Sequence, residues 1–277
     1  MNILDLNNYA NNVALNTDNS IWHSKTKRKV SYPNNGNDDN FEIEDNSFWF
    51  QHRNNCIIAS VKKYCPNEIL FDVGGGNGFV SKGLEDSGIT TVLVEPGNGV
   101  INAKRRGLKN ILNSTLEDAK FKKLSLSAIG VFDVIEHIPN DIEFLQSLFA
   151  YMKESGLLFI TVPAYSFLWS NDDKFAGHYR RYTLKSIKKK LTDIGFNIKY
   201  STYFFSFLPL PVFFLRTIPS IIKKKEQVAF NKNIIEHNKG KGLFIQKVLK
   251  TELIAINSKR SIPFGSSCLV IASKNFK

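Results

Sequence analysis

Cysteine is scarce in this chain of 277 residues, which contains only Cys56, Cys65 and Cys268. They form no CxxC pair, no histidine stands beside them, and the five histidines show no ligand spacing, so we expect neither a disulfide framework nor a metal site. A basic start followed by an apolar run is also missing at the amino terminus, which argues against a secretory signal. We therefore expect a cytoplasmic protein.

Arginine is the second scarce residue type, with 8 arginines against 29 lysines in a chain whose formal net charge is +12. Such a positive excess is typical of proteins that bind nucleic acid or an anionic membrane. Recognition of bases and phosphates favours the arginine fork, however. We interpret the lysines as a solvated surface, keep a membrane or an anionic substrate as alternatives, and expect no nucleic-acid partner.

An unbroken apolar run of about 20 residues, long enough to cross a membrane, is missing too. The most apolar segment, 203–222, is interrupted by a charge and by prolines, namely Pro209, Pro211, Arg216 and Pro219. Either this segment packs on the core as a cap over a pocket, or residues 203–225 lie in a bilayer interface with Lys223, Lys224 and Lys225 at anionic headgroups. We favour the cap, because prolines break the continuous helix that an anchor prefers.

The chain does contain an alternation of short apolar runs and helical stretches. A typical unit is an apolar run, a glycine-rich turn and a helical stretch that ends at Gly88. Alternation of this kind predicts an α/β fold with a doubly wound, mostly parallel sheet. The apolar runs interpreted as strands are 68–73, 90–97, 109–114, 126–132, 156–165, 197–205 and 265–274.

Composition divides the chain into four parts. Residues 1–40 are polar and rich in asparagine, and we expect them to be poorly ordered. The segment 41–66 has apolar residues at helical spacing and is predicted to form a helix that covers the functional site. A core follows at 67–205 and resumes at 263–277, while 206–262 is predicted to be an apolar and basic helical insert.

The turn after the first core strand reads DVGGGNG, from Asp72 to Gly78. Glycines allow positive φ and let a ligand come close to the end of the strand. The dinucleotide fingerprint GxGxxG is not completed, because Phe79 or Ser81 stands at its third glycine, which disfavours an oxidoreductase. The next strand ends in Glu95, whose carboxylate can accept hydrogen bonds from both hydroxyls of a ribose.

Four stretches in this order, ILFDVGGGNG, VLVEPG, FDVIEHIPND and LLFITVPAY, resemble class I S-adenosylmethionine-dependent methyltransferases of a bacterial small-molecule or cell-surface type. FWFQHRN before the core and LWSNDDKFAGHYRRYT after the fifth core strand extend the resemblance over about residues 41–205. It implies a Rossmann-like, doubly wound sheet of seven strands, mostly parallel with an antiparallel last strand, plus the helical insert. It also implies S-adenosylmethionine as the cofactor and a small-molecule, sugar or lipid-linked methyl acceptor.

The resemblance implies roles for individual residues around this cofactor. Asp72 would orient the methionine amino group, Arg53 would pair with its carboxylate, and Glu95 would hold the ribose. Asp133 would lie beside the methionine or cap the next turn, and Leu116 lies where adenine is usually held but also fits plain core. The implied cofactor residues are Asp72, Gly74, Gly76, Gly78, Glu95, Thr115, Leu116, Asp133 and Arg53.

Two histidines are candidates for a general base, which is needed only if the acceptor is a hydroxyl or an ammonium group. His137 follows the fourth core strand and His178 follows the fifth, where such folds place the acceptor, although a structural role stays open for both. The three residues Arg180, Arg181 and Tyr182 are predicted to bind the acceptor or else to form an ion-paired surface.

Three alternatives are weighed against a small-molecule methyltransferase. Enzymes of the same fold that methylate nucleic-acid amines carry an Asn/Asp-Pro-Pro-aromatic turn, which here reads Asp133-Val-Ile-Glu136 and disfavours that activity. A nucleotide-binding oxidoreductase and a non-catalytic binding module are the other two. The sequence pattern leaves the acceptor and the oligomeric state open.

Overall fold

The computed structural model of the chain describes residues 3–26, 41, 43–222 and 242–275. Nine strands form one sheet in this part of the chain. They are β1 (Val13–Asn16), β2 (Ile21–Ser24), β3 (Leu70–Val73), β4 (Thr91–Val94), β5 (Ile111–Asn113), β6 (Leu126–Phe132), β7 (Met152–Pro163), β8 (Phe196–Phe204) and β9 (Ser267–Lys274).

The strand order of the sheet is β1-β2-β5-β4-β3-β6-β7-β9-β8. Neighbours from β5 to β7 in this order are parallel, and β9 inserts antiparallel between β7 and β8. The chain enters the parallel part at β3, winds to one side through β4 and β5, and then returns to the other side at β6. This confirms the predicted doubly wound sheet and its antiparallel last strand.

The expected number of seven strands was wrong, because the amino-terminal segment supplies two more. β1 and β2 form an antiparallel hairpin, and β2 pairs in parallel with β5 at the sheet edge. Leu6, Val13 and Trp22 are buried in the core, so the expectation of poor order is wrong for residues 3–26. Strands of four residues in an asparagine-rich segment show too little periodicity to be recognised. Residues 27–40 lie outside the described part.

Helices connect the strands, and local capping residues set their ends. The Ser47 side chain accepts a hydrogen bond from the Trp49 N–H at the start of the helix predicted within 41–66. The helix after β7 that begins at the Thr183 capping box ends at Gly195, whose φ is +114°. The described α-helices are α1 (Phe48–Tyr64), α2 (Phe79–Asp86), α3 (Gly99–Arg105), α4 (Asp141–Tyr151), α5 (Asn171–Phe175), α6 (Leu184–Ile194), α7 (Pro209–Val212), α8 (Ile218–Ile222) and α9 (Leu243–Asn257), and a π-helical turn, Phe213–Thr217, joins α7 to α8.

The core lies on the two faces of the sheet, because successive strand residues point to opposite sides. Phe71 of β3 joins the cluster that holds α4 and α6, while the preceding Leu70 joins the cluster that holds α1 and α9. Every residue of β3 and β4 is buried, which explains why these strands read as continuous apolar runs rather than as alternating ones.

Within the insert predicted at 206–262, residues 209–222 and 243–257 are helical, while 206–208 and 258–262 form turns and irregular chain. Residues 223–241 lie outside the described part. The prediction that the apolar side chains of 203–225 are buried is correct for Phe204 and Phe205, which are fully buried. It is wrong for the helical part, where Phe214 is 59% exposed. Lys223, Lys224 and Lys225 fall outside the described residues. Among the described residues, none of the helices combines the length and the apolar character needed to cross a bilayer.

A buried carboxylate ties the insert to α1. Glu252 of α9 accepts hydrogen bonds from the His52 ring at 2.9 Å and from the backbone N–H groups of Phe205 and Ser206. Burial alone would raise the pKa of Glu252, but the hydrogen bonds from His52 and Ser206 hold it below its usual value. The Glu252 carboxylate therefore links α1, α9 and the end of β8 through hydrogen bonds.

Candidate active site

The glycine-rich turn after β3 has the backbone geometry that the sequence predicts. Gly74, Gly76 and Gly78 have φ values of +73°, +54° and +72°. A Cβ atom on Gly78 would stand 2.3 Å from Leu108 Cδ1, so this glycine serves the packing of the chain behind the turn. A Cβ atom on Gly74 would stand 2.9 Å from Val134 Cγ2, so this glycine admits the neighbouring chain, and a contact of Gly74 or Gly76 with a cofactor stays a prediction.

Glu95 lies at the end of β4, directly opposite this turn. Its carboxylate accepts hydrogen bonds from the Gly76 N–H at 3.0 Å and the Gly97 N–H at 2.8 Å. Burial raises the pKa of Glu95, which is only 7% exposed. Two backbone donors leave lone pairs free on both oxygens, and these can accept the two hydroxyls of a ribose.

Asp72 is fully buried one strand away. Its Oδ2 accepts a hydrogen bond from the Ser81 hydroxyl at 2.7 Å, while Oδ1 has no hydrogen-bond partner among the described residues. Burial raises the pKa of Asp72 to about 6. A Cβ on Gly75 would come within 2.5 Å of Oδ2, so glycine is required beside this carboxylate. An unpaired buried oxygen fits a cationic amino group of a ligand.

Arg53 reaches from α1 to the end of β6. It pairs with the Asp133 carboxylate and donates a hydrogen bond to the Phe132 carbonyl at 2.7 Å. Asp133 has a φ of +55°, a strained conformation for a residue other than glycine. The structure thus joins two of the predicted cofactor residues to each other, and Arg53 is engaged by protein groups.

The predicted adenine position holds one polar and one core residue. Thr115 Oγ1 accepts a hydrogen bond from the Asp118 N–H at 3.0 Å, which closes the turn after β5. Leu116 is 1% exposed and packs in the main hydrophobic cluster. For Leu116 the structure favours the plain-core alternative, and a contact with adenine stays a prediction for both residues.

His178 is held in a fixed orientation at the end of α5. Its Nδ1 lies 2.9 Å from an Asp173 carboxylate oxygen. The Arg181 guanidinium grips the same carboxylate with Nε at 2.7 Å and Nη2 at 3.0 Å. Burial alone would raise the pKa of Asp173, but its hydrogen bonds with His178 and Arg181 hold it at about 2. Because the ionised Asp173 carboxylate can only accept a hydrogen bond, the His178 proton lies on Nδ1. The lone pair of His178 is then on Nε2.

The second candidate base lies against the first. The rings of His137 and His178 meet edge to face, with centroids 4.7 Å apart. Burial and the neighbouring His178 lower the pKa of His137 to about 4, so its ring is neutral at pH 7. Glu136, whose pKa burial raises well above its usual value, is fully buried beside them. Its Oε2 has no hydrogen-bond partner among the described residues.

The prediction that Arg180, Arg181 and Tyr182 bind the acceptor is not supported. Arg180 donates to the carbonyls of Ile138 and Pro139, and Arg181 binds Asp173. Tyr182 is wrong as an acceptor contact, because it is 2% exposed and its hydroxyl donates to a buried carboxylate, Asp141, at 2.7 Å. The ion-paired alternative describes Arg180 and Arg181, which pair with Asp141 and Asp173.

Sequence reasoning missed Glu136 and gave Asp173 only a partner role towards the arginines. Glu136 stands one residue before His137 in IEH, and Asp173 stands five residues before His178 in DKFAGH. That spacing was the available signal. The sequence also predicted no metal constellation, whereas Glu136, His137 and His178 place ligand atoms within 4.8 Å of one another. His137 and His178 approach each other only because the ends of β6 and β7 are neighbours in the sheet.

A protein-family model described as a methyltransferase domain matches residues 50–201, which is more than half of the chain. The chain is a class I S-adenosylmethionine-dependent methyltransferase. The match spans all the candidate site residues described above. The cofactor of this family is S-adenosylmethionine, and the orphaned oxygen of Asp72, the glycine turn and the Glu95 carboxylate are chemically suited to hold it.

Curated relatives of this methyltransferase carry the name ubiquinone biosynthesis O-methyltransferase. The protein from Rickettsia canadensis is 28% identical over 151 residues, which are 47% of this chain and 63% of the relative. That from Rickettsia felis is 28% identical over 137 residues, or 44% of this chain and 55% of the relative. The chain thus spans less than two thirds of the length of these relatives.

Solved structures show the same fold at low identity. The phosphoethanolamine N-methyltransferase 2 of Haemonchus contortus, in complex with S-adenosyl-L-methionine, superimposes with a TM-score of 0.54 at 16% identity. The superposition covers 90% of this chain and 59% of the Haemonchus contortus chain. An S-adenosylmethionine-dependent methyltransferase from Archaeoglobus fulgidus has a TM-score of 0.51 at 17% identity, over 82% of this chain and 100% of its own.

Proposed function

We propose that this methyltransferase methylates a hydroxyl group of a small-molecule, sugar or lipid-linked acceptor, with His178 as the general base. A single observation carries the proposal, namely the hydrogen bond from His178 Nδ1 to the Asp173 carboxylate. A neutral hydroxyl is a poor nucleophile until its proton is removed, whereas a free amine needs no base. The names of the Rickettsia relatives, which are O-methyltransferases, support the same acceptor atom.

When bound, S-adenosylmethionine would supply an electrophilic methyl group, with the neutral thioether S-adenosylhomocysteine as the leaving group. Glu95 would hold its ribose, and Asp72 would hold its methionine end through the oxygen that the fold leaves unpaired. His178 Nε2 takes the acceptor proton while the acceptor oxygen forms its bond to the methyl carbon. Asp173 and Arg181 stabilise the imidazolium that results, because the carboxylate stays ionised beside it.

Electrostatic contacts connect the two ends of the proposed site. Asp72 lies within electrostatic range of Arg53 and Glu95, and Glu136 lies within range of Arg53 and Arg181. Arg53 is therefore common to the cofactor residues and to the acid–histidine cluster. This continuity supports a single pocket in which the methyl group and the acceptor oxygen meet.

The test measures methyl transfer from isotope-labelled cofactor to hydroxyl and amine acceptors by the wild type and two variants. Mass spectrometry of a cell extract incubated with the labelled cofactor identifies the natural acceptor. His178→Ala should lower turnover about 10²–10⁴-fold while cofactor affinity is unchanged. Asp173→Asn should lower turnover less and shift its pH profile, since the ring keeps its nitrogen but loses its fixed tautomer. Full turnover by His178→Ala, or transfer to amines alone, would contradict the proposal.

A further inference from the structure

Three ligand-type side chains converge where β6 and β7 end. Glu136, His137 and His178 each offer one ligand atom, and these atoms all lie within 4.8 Å of one another. Metal–ligand bonds of about 2.0–2.2 Å place the ligands of one ion about 3–4 Å apart. The separations between the three ligand atoms therefore exceed those around a common ion by at most about 1–2 Å, which small side-chain rotations can close.

Each histidine ring already has an acceptor for one of its nitrogens. His178 Nδ1 is bonded to the Asp173 carboxylate, and a ring nitrogen of His137 is bonded to the backbone carbonyl of Ala176. Metal-binding histidines in proteins are arranged in this way, with one nitrogen towards the ion and the other donating to a carboxylate or carbonyl.

Two arginines lie within electrostatic range of Glu136, but each forms its ion pair with another acid. Arg53 pairs with Asp133, and Arg181 pairs with Asp173. Glu136 is 1% exposed, and no ion pair involves it within the described ranges. Its Oε2 also has no hydrogen-bond partner among the described residues. A buried carboxylate with an unsatisfied oxygen calls for a partner, and a cation at the cluster would be one.

We propose that Glu136, His137 and His178 bind a divalent transition-metal ion such as Zn²⁺, and that the bound ion blocks methyl transfer. Two imidazoles and one carboxylate form a donor set that prefers zinc and its neighbours to magnesium or calcium. The blocking effect rests on the proposed function, because the ion occupies the lone pair of His178 Nε2 that would otherwise take the acceptor proton.

Calorimetric titration of the full, chelator-treated chain with zinc chloride tests the site itself. We expect one ion per chain, and cobalt chloride should give visible d–d absorption bands of a site with nitrogen and oxygen ligands. Glu136→Gln and His137→Ala should each weaken zinc binding by about tenfold or more, and Asp173→Asn should weaken it about 10–100-fold. Glu154→Gln, at an exposed carboxylate, is the matched control and should bind zinc as the wild type does.

Two results would overturn the site: no saturable binding by the wild type, or equal binding by the wild type, Glu136→Gln and His137→Ala. Circular dichroism identifies a variant that fails to fold, and the other variant then decides. The methyl-transfer assay separates the two proposals. Inhibition by zinc that a chelator reverses supports the block. Binding without inhibition, or stimulation, leaves the site in place but overturns the block and the role of His178 as a base.

Discussion

The two ends of the site are built from different kinds of contact. At the cofactor end, the contacts join residues that are close in sequence, 9 positions apart for Asp72 and Ser81 and 19 for Glu95 and Gly76. At the acceptor end, His178 and Arg181 bind Asp173 across only 5 and 8 positions, but Tyr182 donates a hydrogen bond to Asp141 across 41 positions. The insert is tied to α1 by a hydrogen bond between side chains 200 positions apart.

This difference indicates which part of the site can be mutated without loss of stability elsewhere in the protein. The cofactor end is a strand, a turn and a second strand that form one parallel unit, so its geometry is local. The acceptor end depends on where α1, α5 and the insert pack, and its polar groups hold one another. We therefore expect changes at the acceptor end to affect stability more than changes at the cofactor end.

Glu252→Ala should have the largest effect, a loss of about 3–5 kcal/mol in the free energy of unfolding, because it leaves His52 and two backbone N–H groups buried without their acceptor. Urea unfolding followed by circular dichroism measures it, with Glu154→Ala as the exposed control. The pKa of Glu252 is lowered in the fold, so this contribution is present above the ordinary carboxyl pKa and is lost as the pH falls below it. Equal stability of both variants would show that the insert is held by other contacts.

Glu95→Ala should weaken S-adenosylmethionine binding by about 1.5–3 kcal/mol, roughly 10–150-fold, because charge-assisted hydrogen bonds to the ribose are lost. Unfolding should change less than in Glu252→Ala, since Glu95 receives only two local backbone bonds. Calorimetry with the cofactor measures the affinity. Glu68→Ala, an exposed acid before the opposite end of β3, serves as control. Unchanged affinity in Glu95→Ala would remove the ribose role.

Asp72 should make cofactor affinity depend on pH. Burial raises its pKa to about 6, so the free protein holds a neutral carboxyl below that pH and a carboxylate above it. A cationic amino group binds the carboxylate better, so affinity should fall by up to about tenfold per pH unit as the pH drops below 6. Asp72→Asn should bind more weakly at pH 8 and lose this dependence. The range from about pH 5 to pH 8 spans that pKa by about 1–2 units. A wild-type affinity that is constant over this range would contradict the contact between Asp72 and the cofactor.

The smallest expected effect concerns the exposed helical face of the insert. Leu210, Phe214, Leu215, Ile221 and Ile222 are between 59% and 74% exposed. We expect weak binding to vesicles that contain anionic lipid, which salt reduces, because each lysine near such a surface contributes about 1 kcal/mol.

Co-sedimentation with phosphatidylserine-containing vesicles measures this binding. Phe214→Ser with Leu215→Ser should reduce it, while Ile101→Ser, at an exposed position on α3, should not. Replacement of Lys223, Lys224 and Lys225 by glutamate should abolish it. The absence of binding at low salt would rule out a membrane role for this face.

The strands and turns that we propose to hold the cofactor were accessible to sequence reasoning because their signals are local. A buried parallel strand is an apolar run, a turn with positive φ requires glycine, and an acid at a strand end stands at a predictable distance along the chain. Asp72, the glycine turn and Glu95 therefore lie where the pattern predicts. The four-residue strands β1 and β2 were missed, since their order comes from pairing with β5 and from packing of Trp22 rather than from periodicity.

By itself, the sequence determined the fold class, the family and the identity of the cofactor. Only the tertiary structure decided that Tyr182 is a core residue, that Arg181 grips Asp173 rather than an acceptor, and that His137 and His178 share one cluster with Glu136. The reason is physical. A residue type states which bonds a side chain can form, but the packing of distant elements determines which partner is within reach and whether water competes for it.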